Sequence, residues 1–480
     1  METPLDIHLI GVSGTGMGSL AGLLASLGHR ITGSDVAFHP PMGPLLQQWG
    51  VECQLGFEPQ FGARIPDLVV VGNVCRASNP QARHALDRGW AVTHMPAALD
   101  RFALNGRRSV VVAGTHGKTT TASLCTWVLE QSGLRPGFFI GGVPLNFGQG
   151  FRTAELGAPF VVEGDEYDTA FFEKTPKFLH YHPHHAIVTS LEHDHVDIYP
   201  TPELYFEAFR RFVELVPPRG VLVANRDDPA VFAVVTRHAR CRVEWYGYRP
   251  GPGWSLTRQP LPGGRQHVEL GAENRTSCSF DLELTGEHNA ANATAALLLA
   301  HCAFGCELDV AAKALLGFRG AKRRLERLGT FGDVCVYDDF AHHPTAVRLT
   351  LEGLRSLHPS SKIVAAFEPR SATACRPLHQ QAYAESFGAA DAVVLAPVGR
   401  AELPEGQRLN TERLAEELRR QGTPAWAAST MKEVLDRLIR AAQPGDGIVL
   451  LSNGAFGGIQ PELFQRLAEG RPQSENEVPL

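Results

Sequence analysis

Residues 110–121 read VVVAGTHGKTTT, and this stretch determines the interpretation of the whole chain. An apolar, β-branched run predicts a buried strand, two glycines predict a tight turn, and the apolar spacing that follows predicts a helix. Backbone N–H groups in such a turn, together with the helix N-terminus, favour a bound phosphate. Lys118 is then placed to reach the β- and γ-phosphates of a nucleotide, and the Thr119 hydroxyl to hold Mg²⁺. Val112 stands where the common pattern has a further glycine, so the loop is the short form GTHGKT.

Composition and charge limit the classes of protein that this chain can represent. Its 480 residues have room for about three domains, and 44% hydrophobic with 20% charged residues are typical of a soluble globular protein. A net charge of −6 argues against nucleic acid as a partner. The N-terminal segment lacks the basic residues of a secretory signal, so none is predicted. The sequence contains no run of about 20 apolar residues, so no membrane span is predicted. Nine cysteines without a C-x-x-C pair indicate a reducing cytoplasm.

The first unit, residues 1–106, has the pattern of a Rossmann-type mononucleotide-binding fold. The strand IHLI at 7–10 leads into the glycine-rich loop GVSGTGMG at 11–18, a helix follows, and a second strand ends in GSD at 33–35. Ser19 occupies the position of the third glycine in the dinucleotide fingerprint, whereas Asp35 stands where a dehydrogenase binds ribose. These residues alone therefore favour a dinucleotide and another diphosphate ligand of the N-terminal unit equally.

Two polar clusters follow strands of the second unit, residues 107–322. They are EGDEYD at 163–168 and SLEHDHVD at 190–197, and an open α/β sheet binds its ligand at such strand ends. These acidic residues could simply be solvent-exposed loop residues. Beside a phosphate-binding loop, however, their carboxylate oxygens favour a Mg²⁺ site. The neighbouring histidines match no standard zinc spacing; they are His180, His182, His184, His185, His193 and His195. Further along, Pro/Gly-rich residues 249–264 predict an irregular or hairpin excursion.

An alanine-rich helix is predicted after GEHNAAN at 286–292, where paired Asn amides suit an adenine edge but also helix capping. The third unit, residues 323–480, shows another α/β pattern. Its strands end in DDFAHHP at 338–344, EPRS at 368–371 and SNGAFGG at 452–458, and about ten polar residues form a C-terminal tail. The prediction is an α/β protein of three domains: an N-terminal Rossmann-like unit, a central P-loop ATPase domain and a C-terminal Rossmann-like domain.

This constellation resembles the Mur ligases, the ATP-dependent enzymes that build the peptide of bacterial cell-wall precursors. The resemblance runs nearly end to end and rests on eight ordered motifs: GxxGxGM at 11–17, GSD at 33–35, GTHGKTTT at 114–121, ExDE at 163–166, DHxD at 194–197, HNxxN at 288–292, RRxE at 323–326 and DDxxHHP at 338–344. It implies an enzyme that activates a carboxylate as an acyl phosphate with ATP and joins it to an amine.

Within the family, four segments resemble the members that attach a preformed peptide: GNVCRASNP at 72–80, EYDTAFF at 166–172, FEPRS at 367–371 and SNGAFGG at 452–458. The implied substrates are UDP-N-acetylmuramate and the murein tripeptide L-alanyl-γ-D-glutamyl-meso-diaminopimelate, in cytoplasmic peptidoglycan recycling. The members that add L-alanine carry QPHR where this chain has EPRS. L-Alanine as the amine is therefore the alternative.

The resemblance also implies roles for individual residues. The ATP phosphates fall to Gly114, Thr115, His116, Gly117, Lys118, Thr119, Thr120 and Arg324, adenine to Asn289 and Asn292, and ribose to Asp339. One Mg²⁺ is expected on Thr119 and Glu163 and a second on Glu163 and His195, so that Lys118, Glu163 and His195 are the catalytic residues. The UDP diphosphate is expected on the backbone of the loop Ser13, Gly14, Thr15, Gly16 and Met17, flanked by Ser34 and Asp35. Arg370 and His342 are the candidates for binding the peptide.

Other classes of protein make different predictions. A nicotinamide-dependent oxidoreductase uses the N-terminal unit but leaves the Gly-Lys-Thr loop without a role. A nucleotide-gated switch hydrolyses ATP without an added amine. A folylpolyglutamate synthetase shares the ATP loop but lacks a glycine-rich N-terminal UDP unit.

Overall fold

A computed structural model describes residues 3–61, 64–272, 277–400 and 403–469. The predicted C-terminal tail lies outside the described residues. Three parallel or mostly parallel sheets follow one another along the chain, each covered by helices, so the prediction of a three-domain α/β fold is confirmed. Among the described helices, none is both long and apolar enough to cross a membrane.

The first domain contains a five-stranded parallel sheet in the order β3-β2-β1-β4-β5. Its strands are β1 (Asp6–Ile10), β2 (Arg30–Asp35), β3 (Glu52–Leu55), β4 (Leu68–Val71) and β5 (Val92–His94), and its helices are α1 (Thr15–Ser26), α2 (Met42–Gln48), α3 (Pro80–Asp87) and α4 (Met95–Leu99). The strand order reverses at β1, the position at which such sheets bind ligands. Helix α1 begins at Thr15, so the predicted loop of residues 13–17 is wrong in part: its last three residues form the first helical turn.

The central domain is built on a ten-stranded sheet, parallel from β15 to β7 and antiparallel at both ends, in the order β17-β16-β15-β14-β13-β12-β6-β9-β7-β8. The ten strands are β6 (Arg108–Ala113), β7 (Gly137–Phe139), β8 (Phe151–Arg152), β9 (Pro159–Gly164), β12 (His185–Val188), β13 (Val221–Asn225), β14 (Arg242–Gly247), β15 (Trp254–Pro260), β16 (Gln266–Ala272) and β17 (Cys278–Leu282). Strands β10 (Asp168–Ala170) and β11 (Glu173–Pro176) form a separate antiparallel pair. Its helices are α5 (Lys118–Gln131), α6 (Pro202–Leu215), α7 (Pro229–His238), α8 (Glu287–Phe304) and α9 (Leu308–Ala314). The predicted excursion at 249–264 is the start of the β15–β16 hairpin.

The third domain has a six-stranded sheet in the order β18-β19-β23-β20-β21-β22, in which only the edge strand β18 is antiparallel. The strands are β18 (Glu326–Phe331), β19 (Val334–Asp339), β20 (Ile363–Phe367), β21 (Ala392–Leu395), β22 (Ala425–Ala427) and β23 (Gly447–Leu451). The helices are α10 (Pro344–Leu357), α11 (Gln380–Ser386), α12 (Thr411–Arg420), α13 (Met431–Ala441) and α14 (Gln460–Glu469). Hydrophobic residues of the inner strands are almost completely buried because helices cover both faces.

The central sheet brings three sequence motifs to one edge. Strand β6 pairs in parallel with β9 on one side and β12 on the other, with Ala113 in register with both Gly164 and Val188. The glycine-rich loop, the acidic cluster and the His/Asp cluster follow these three strands. They therefore meet at the carboxyl end of the sheet.

Candidate active site

The loop after β6 needs its glycines for both conformation and space. Gly114 and Gly117 have φ angles of +137° and +80°, which L-residues with a side chain rarely adopt. A Cβ on Gly114 would lie 2.2 Å from Thr189 Oγ1, and one on Gly117 would lie 2.8 Å from Asn292 Oδ1. The short loop is therefore packed tightly against β12 and α8.

Not all N–H groups of this loop are available to a phosphate. The backbone N–H of Thr115 donates to the Ser190 carbonyl at 2.9 Å, and that of His116 donates to Ser190 Oγ at 3.0 Å. The backbone N–H groups of Thr115 and His116 are thus occupied in this arrangement, and their role in ATP binding stays a prediction. Helix α5 begins at Lys118, and its first N–H groups have no acceptor one turn earlier in the helix. The N–H groups that remain open to an anion are therefore those of the helix N-terminus.

Lys118 is held in place by a carboxylate. Its Nζ donates to Glu166 Oε2 at 2.8 Å and to the Gly114 carbonyl at 2.7 Å. The other oxygen, Glu166 Oε1, lies 3.0 Å from His195 Nε2. Burial opposes the charge of Glu166, but Lys118 and His195 outweigh burial and lower the pKa of this carboxyl to about 2. Burial likewise opposes the charges of the two partners, and Glu166 nevertheless raises the pKa of both Lys118 and His195.

Thr119 and Glu163 form the predicted first magnesium position. Thr119 Oγ1 donates to Glu163 Oε1 at 2.6 Å, and Arg324 Nη2 donates to Thr119 Oγ1 at 2.8 Å. Burial and the neighbouring Asp165 raise the pKa of Glu163, which is the setting in which a cation stabilises the ionised form. A hydroxyl and a carboxylate are hard oxygen ligands, so this pair fits Mg²⁺.

The predicted second magnesium position, on Glu163 and His195, is not assembled in this arrangement. His195 is bonded to Glu166 instead, and its raised pKa favours the protonated ring, which has no lone pair for a metal. Within the described part of the chain, two groups of three His, Cys, Asp or Glu side chains bring their ligand atoms within 4.8 Å, and neither contains Glu163 or His195. The second magnesium position therefore stays a prediction, and it requires His195 to leave Glu166.

A cavity of about 590 Å³ between the central and C-terminal domains collects most of the residues predicted for ATP. It is lined by His116, Gly117, Thr120, Asn289, Asn292, Arg324 and Asp339. Asn289 donates through Nδ2 to the Thr285 carbonyl at 2.8 Å. Asp339 accepts from the Ala341 backbone N–H at 2.7 Å through Oδ1 and from the Leu325 N–H through Oδ2, so both oxygens already stabilise the domain. The cavity is the candidate nucleotide site, and Asp339 lies at its wall.

The N-terminal residues predicted for UDP surround the start of α1. Ser13 donates its N–H to Asp35 Oδ2 at 2.8 Å and its hydroxyl to the Ala37 carbonyl at 2.6 Å, which fixes the loop. Gly14 and Thr15 are exposed there, whereas the Met17 side chain is buried. The Ser34 side chain is fully buried and donates its hydroxyl to Gln81, so its predicted place beside the UDP diphosphate stays a prediction.

Arg370 and His342 lie in the C-terminal domain at the ends of β20 and β19. The Arg370 side chain is 51% exposed, Nη1 lies 3.7 Å from Glu368 Oε1, and Gly454 leaves the space through which the side chain passes. His342 donates through Nδ1 to the Phe340 carbonyl at 3.0 Å, and its buried Nε2 has no hydrogen-bond partner. Burial lowers the pKa of His342, so the ring is neutral and Nε2 is an acceptor.

Sequence reasoning did not assign Glu166, Glu192 or His343. Glu166 is the last residue of the ExDE motif, in which only Glu163 was given a role. An acidic residue of a motif that has no assigned role is the signal that could have identified Glu166. Glu192 accepts from His116 Nε2 at 2.8 Å and lies 3.3 Å from His343 Nδ1. These contacts join separate elements, and no local pattern indicates them.

Comparisons with known proteins agree with this arrangement. The family described as "Mur ligase family, catalytic domain" matches residues 6–107, "Mur ligase middle domain" matches 112–300, and "Mur ligase, glutamate ligase domain" matches 323–454. The UDP-N-acetylmuramate–L-alanyl-γ-D-glutamyl-meso-2,6-diaminoheptandioate ligase of Escherichia coli is 38% identical over 97% of this chain and 99% of its own length. The UDP-N-acetylmuramate–L-alanine ligase of an Arthrobacter species is 38% identical over 83% of this chain and 82% of its own length.

A solved structure gives the same result over the full length. The murein peptide ligase of Psychrobacter arcticus is 31% identical, covers 98% of this chain and all of its own, and superposes with a TM-score of 0.74. The UDP-N-acetylmuramate–alanine ligase of Thermotoga maritima shares the fold, with a TM-score of 0.76 over 96% of this chain at 22% identity. The three domains, their order and their sequence similarity to these enzymes identify the chain as a member of the Mur ligase family, ATP-dependent enzymes that form a C–N bond.

Proposed function

We propose that this enzyme joins the carboxylate of UDP-N-acetylmuramate to the amino group of the murein tripeptide L-alanyl-γ-D-glutamyl-meso-diaminopimelate, with ATP and Mg²⁺. The observation that carries the proposal is the near full-length similarity to the E. coli ligase named for these two substrates. The proposed location is the cytoplasm, in keeping with nine cysteines of which none forms a disulfide.

The reaction requires two anions to meet. A carboxylate is a poor electrophile, so its oxygen first attacks the γ-phosphorus of ATP, which displaces ADP and gives an acyl phosphate. The neutral amine then attacks the carbonyl of this acyl phosphate, and phosphate and a proton leave as the amide forms. At a separation of about 4 Å, two unit negative charges repel by about 4 kcal/mol at an effective dielectric near 20. Lys118 and Arg324 supply positive charge at this position. Mg²⁺ on Thr119 and Glu163 would supply more.

Lys118 changes partner during this cycle. In the nucleotide-free arrangement its charge is neutralised by Glu166 at 2.8 Å, so the buried ammonium does not need a phosphate to remain charged. When the β- and γ-phosphates bind at the start of α5, Nζ exchanges part of this contact for phosphate oxygens. Glu166 then keeps His195 as its partner. Glu166 thus holds the lysine in a charged, preorganised position.

The incoming peptide is proposed to bind at the C-terminal domain. Arg370 presents a half-exposed guanidinium beside Glu368, and a peptide that carries free carboxylates suits such a cation. His342 offers the neutral acceptor Nε2, which lies 3.9 Å from Asp194 Oδ2 in the loop that also contains His195. This nitrogen is placed to accept a hydrogen bond from the attacking amine.

Phosphate release tests the proposal directly. The full-length enzyme is incubated with ATP, Mg²⁺ and UDP-N-acetylmuramate, and with either the tripeptide or L-alanine. We expect release with the tripeptide and at least tenfold less with L-alanine. Preference for L-alanine would reassign the enzyme to the alanine-adding branch, release without an amine would favour a switch ATPase, and NAD binding without ATP binding would favour an oxidoreductase.

A further inference from the structure

Three side chains from distant parts of the chain meet where the central domain contacts the C-terminal domain. His116 belongs to the phosphate loop, Glu192 follows β12, and His343 precedes α10. His116 Nε2 lies 2.8 Å from Glu192 Oε2, and His343 Nδ1 lies 3.3 Å from the same oxygen. The two imidazole rings are 4.8 Å apart between centroids. The three ligand atoms all lie within 4.8 Å of one another.

The histidine on the C-terminal side of this cluster has unused nitrogens. The His343 side chain is 9% exposed, yet neither Nδ1 nor Nε2 makes a hydrogen bond, because Nδ1 is close to Glu192 but poorly aligned with it. The adjacent His379 ring, 4.7 Å away, also has a buried Nε2 without a hydrogen-bond partner. Buried polar atoms without partners are costly, so this concentration indicates a missing ligand.

We propose that His116, Glu192 and His343 form a binding site for a divalent transition metal of the Zn²⁺ class, distinct from the Mg²⁺ position on Thr119 and Glu163. Two imidazole nitrogens and one carboxylate oxygen are a donor set that Zn²⁺ accepts and Mg²⁺ does not prefer. Bond lengths near 2.1 Å place tetrahedral ligands about 3.4 Å apart. The observed 2.8 Å and 3.3 Å therefore require only a small separation of His116 from Glu192.

The protonation states of the ligands suit a metal. Burial lowers the pKa of His343 to about 3, so its ring is neutral at physiological pH. Burial opposes the charge of Glu192, but the hydrogen bond and charge of His116 outweigh burial and lower the pKa of this carboxyl to about 2. A neutral imidazole and an ionised carboxylate are the forms that coordinate.

The nucleotide cavity gives a metal ion a path from solvent to this site. His116 and Glu192 both line the 590 Å³ nucleotide cavity, so an ion can reach them from solvent. A bound ion would tie the phosphate loop to the start of α10 and thus hold the two domains in the described arrangement. Because the site uses none of the residues proposed to bind the sugar or the peptide, it does not depend on the proposed substrate.

The second histidine cluster of the described residues gives a matched control. His94, Glu173 and His180 also approach within 4.8 Å. His94 Nδ1, however, accepts from the Ala97 backbone N–H at 3.2 Å, so the neutral ring carries its proton on Nε2, the atom that faces Glu173. The bond from Ala97 fixes this tautomer, so Nε2 has no lone pair for a metal and we expect no tight binding there. His116 Nε2 also donates to its carboxylate, but among the described residues no hydrogen bond holds His116 Nδ1, so the ring can carry its proton on Nδ1 and offer Nε2 to a metal.

The test is titration of the metal-free, full-length protein with Co²⁺, a spectroscopic probe of the zinc class, in excess Mg²⁺ and without ATP. We expect one Co²⁺ per chain with the intense visible absorption of a tetrahedral site, and at least a tenfold weaker affinity in His343→Asn and in Glu192→Gln. His94→Asn should bind as the unchanged protein does. Circular dichroism verifies that each variant is folded.

A second measurement needs no variant. Zn²⁺ that binds only the folded protein raises its melting temperature with increasing concentration, and we expect this rise in the unchanged protein. Absence of the rise together with absence of Co²⁺ absorption would overturn the proposal. Equal loss of Co²⁺ binding in His94→Asn and His343→Asn, or unaltered binding in both His343→Asn and Glu192→Gln, would also overturn it.

Discussion

Lys118 Nζ lies 2.8 Å from Glu166 Oε2 across 48 residues of sequence, and both side chains are almost completely buried. The carboxylate sits between two nitrogen atoms, because His195 Nε2 lies 3.0 Å from its other oxygen. Glu166 raises the pKa of Lys118 against the effect of burial, so this arrangement keeps the lysine proposed to bind phosphate charged. The candidate site is therefore preorganised by an internal ion pair.

Glu166→Gln should destabilise the protein strongly. The substitution removes the charge that neutralises Lys118, and breaking a buried ion pair from one side costs about 3–5 kcal/mol. Urea unfolding monitored by circular dichroism should show a clearly lower midpoint. Glu173→Gln, at a carboxylate whose side chain is 44% exposed, is the control and should change little. Equal midpoints for the unchanged protein and Glu166→Gln would contradict the structural role.

The contact between Glu166 and His195 predicts that the stability of the protein depends on pH. The pKa of His195 is raised in the folded protein above its ordinary value of 6.5, mainly by the hydrogen bond to Glu166 against the effect of burial. Its contribution is fully present below pH 6.5 and disappears as the pH rises through the folded pKa. The difference in melting temperature between the unchanged protein and His195→Asn should therefore shrink from pH 6 upward.

Gly117→Ala should weaken ATP binding because the new Cβ would lie 2.8 Å from Asn292 Oδ1 and displace the loop. Gly133→Ala is a matched control, since Gly133 has a similar φ of +81° but nothing within 4 Å of its Cβ position. Both variants should carry the left-handed backbone strain of roughly 1–2 kcal/mol. Only Gly117→Ala should raise the Kd for ATP, which calorimetry measures. Equal Kd values for the two variants would show that loop packing does not matter.

Thr119→Val should raise the Mg²⁺ concentration needed for half-maximal activity, whereas Thr119→Ser should not. Valine matches the shape of threonine but lacks the oxygen that lies 2.6 Å from Glu163 Oε1, and serine keeps it. Magnesium titrations at fixed ATP measure the effect. Parallel curves for the two variants would remove the Thr119 hydroxyl from the metal site.

Arg370→Ala should raise the KM for the tripeptide roughly 10- to 100-fold, the loss of one charged hydrogen bond of about 1.5–3 kcal/mol. The KM for ATP should remain within about twofold, because Arg370 lies outside the nucleotide cavity. Arg370→Lys should recover part of the affinity. A similar rise in both KM values would place the residue in a structural role.

The sequence by itself determined the family, the three α/β domains and the chemistry of the phosphate loop. These follow from local patterns: a β-branched strand, glycines at positive φ, and a helix that begins at Lys118. It also determined that acidic residues would meet this loop, since parallel strands place their carboxyl ends at one edge of the sheet.

Only the tertiary structure decided which side chains are partners. It paired Lys118 and His195 with Glu166, turned Ser34 into the core and brought His343 to His116. These contacts depend on strand register, on rotamers and on the docking of one domain against another. A sequence pattern places a residue on a strand end or a helix turn, but packing between distant elements determines what its side chain touches.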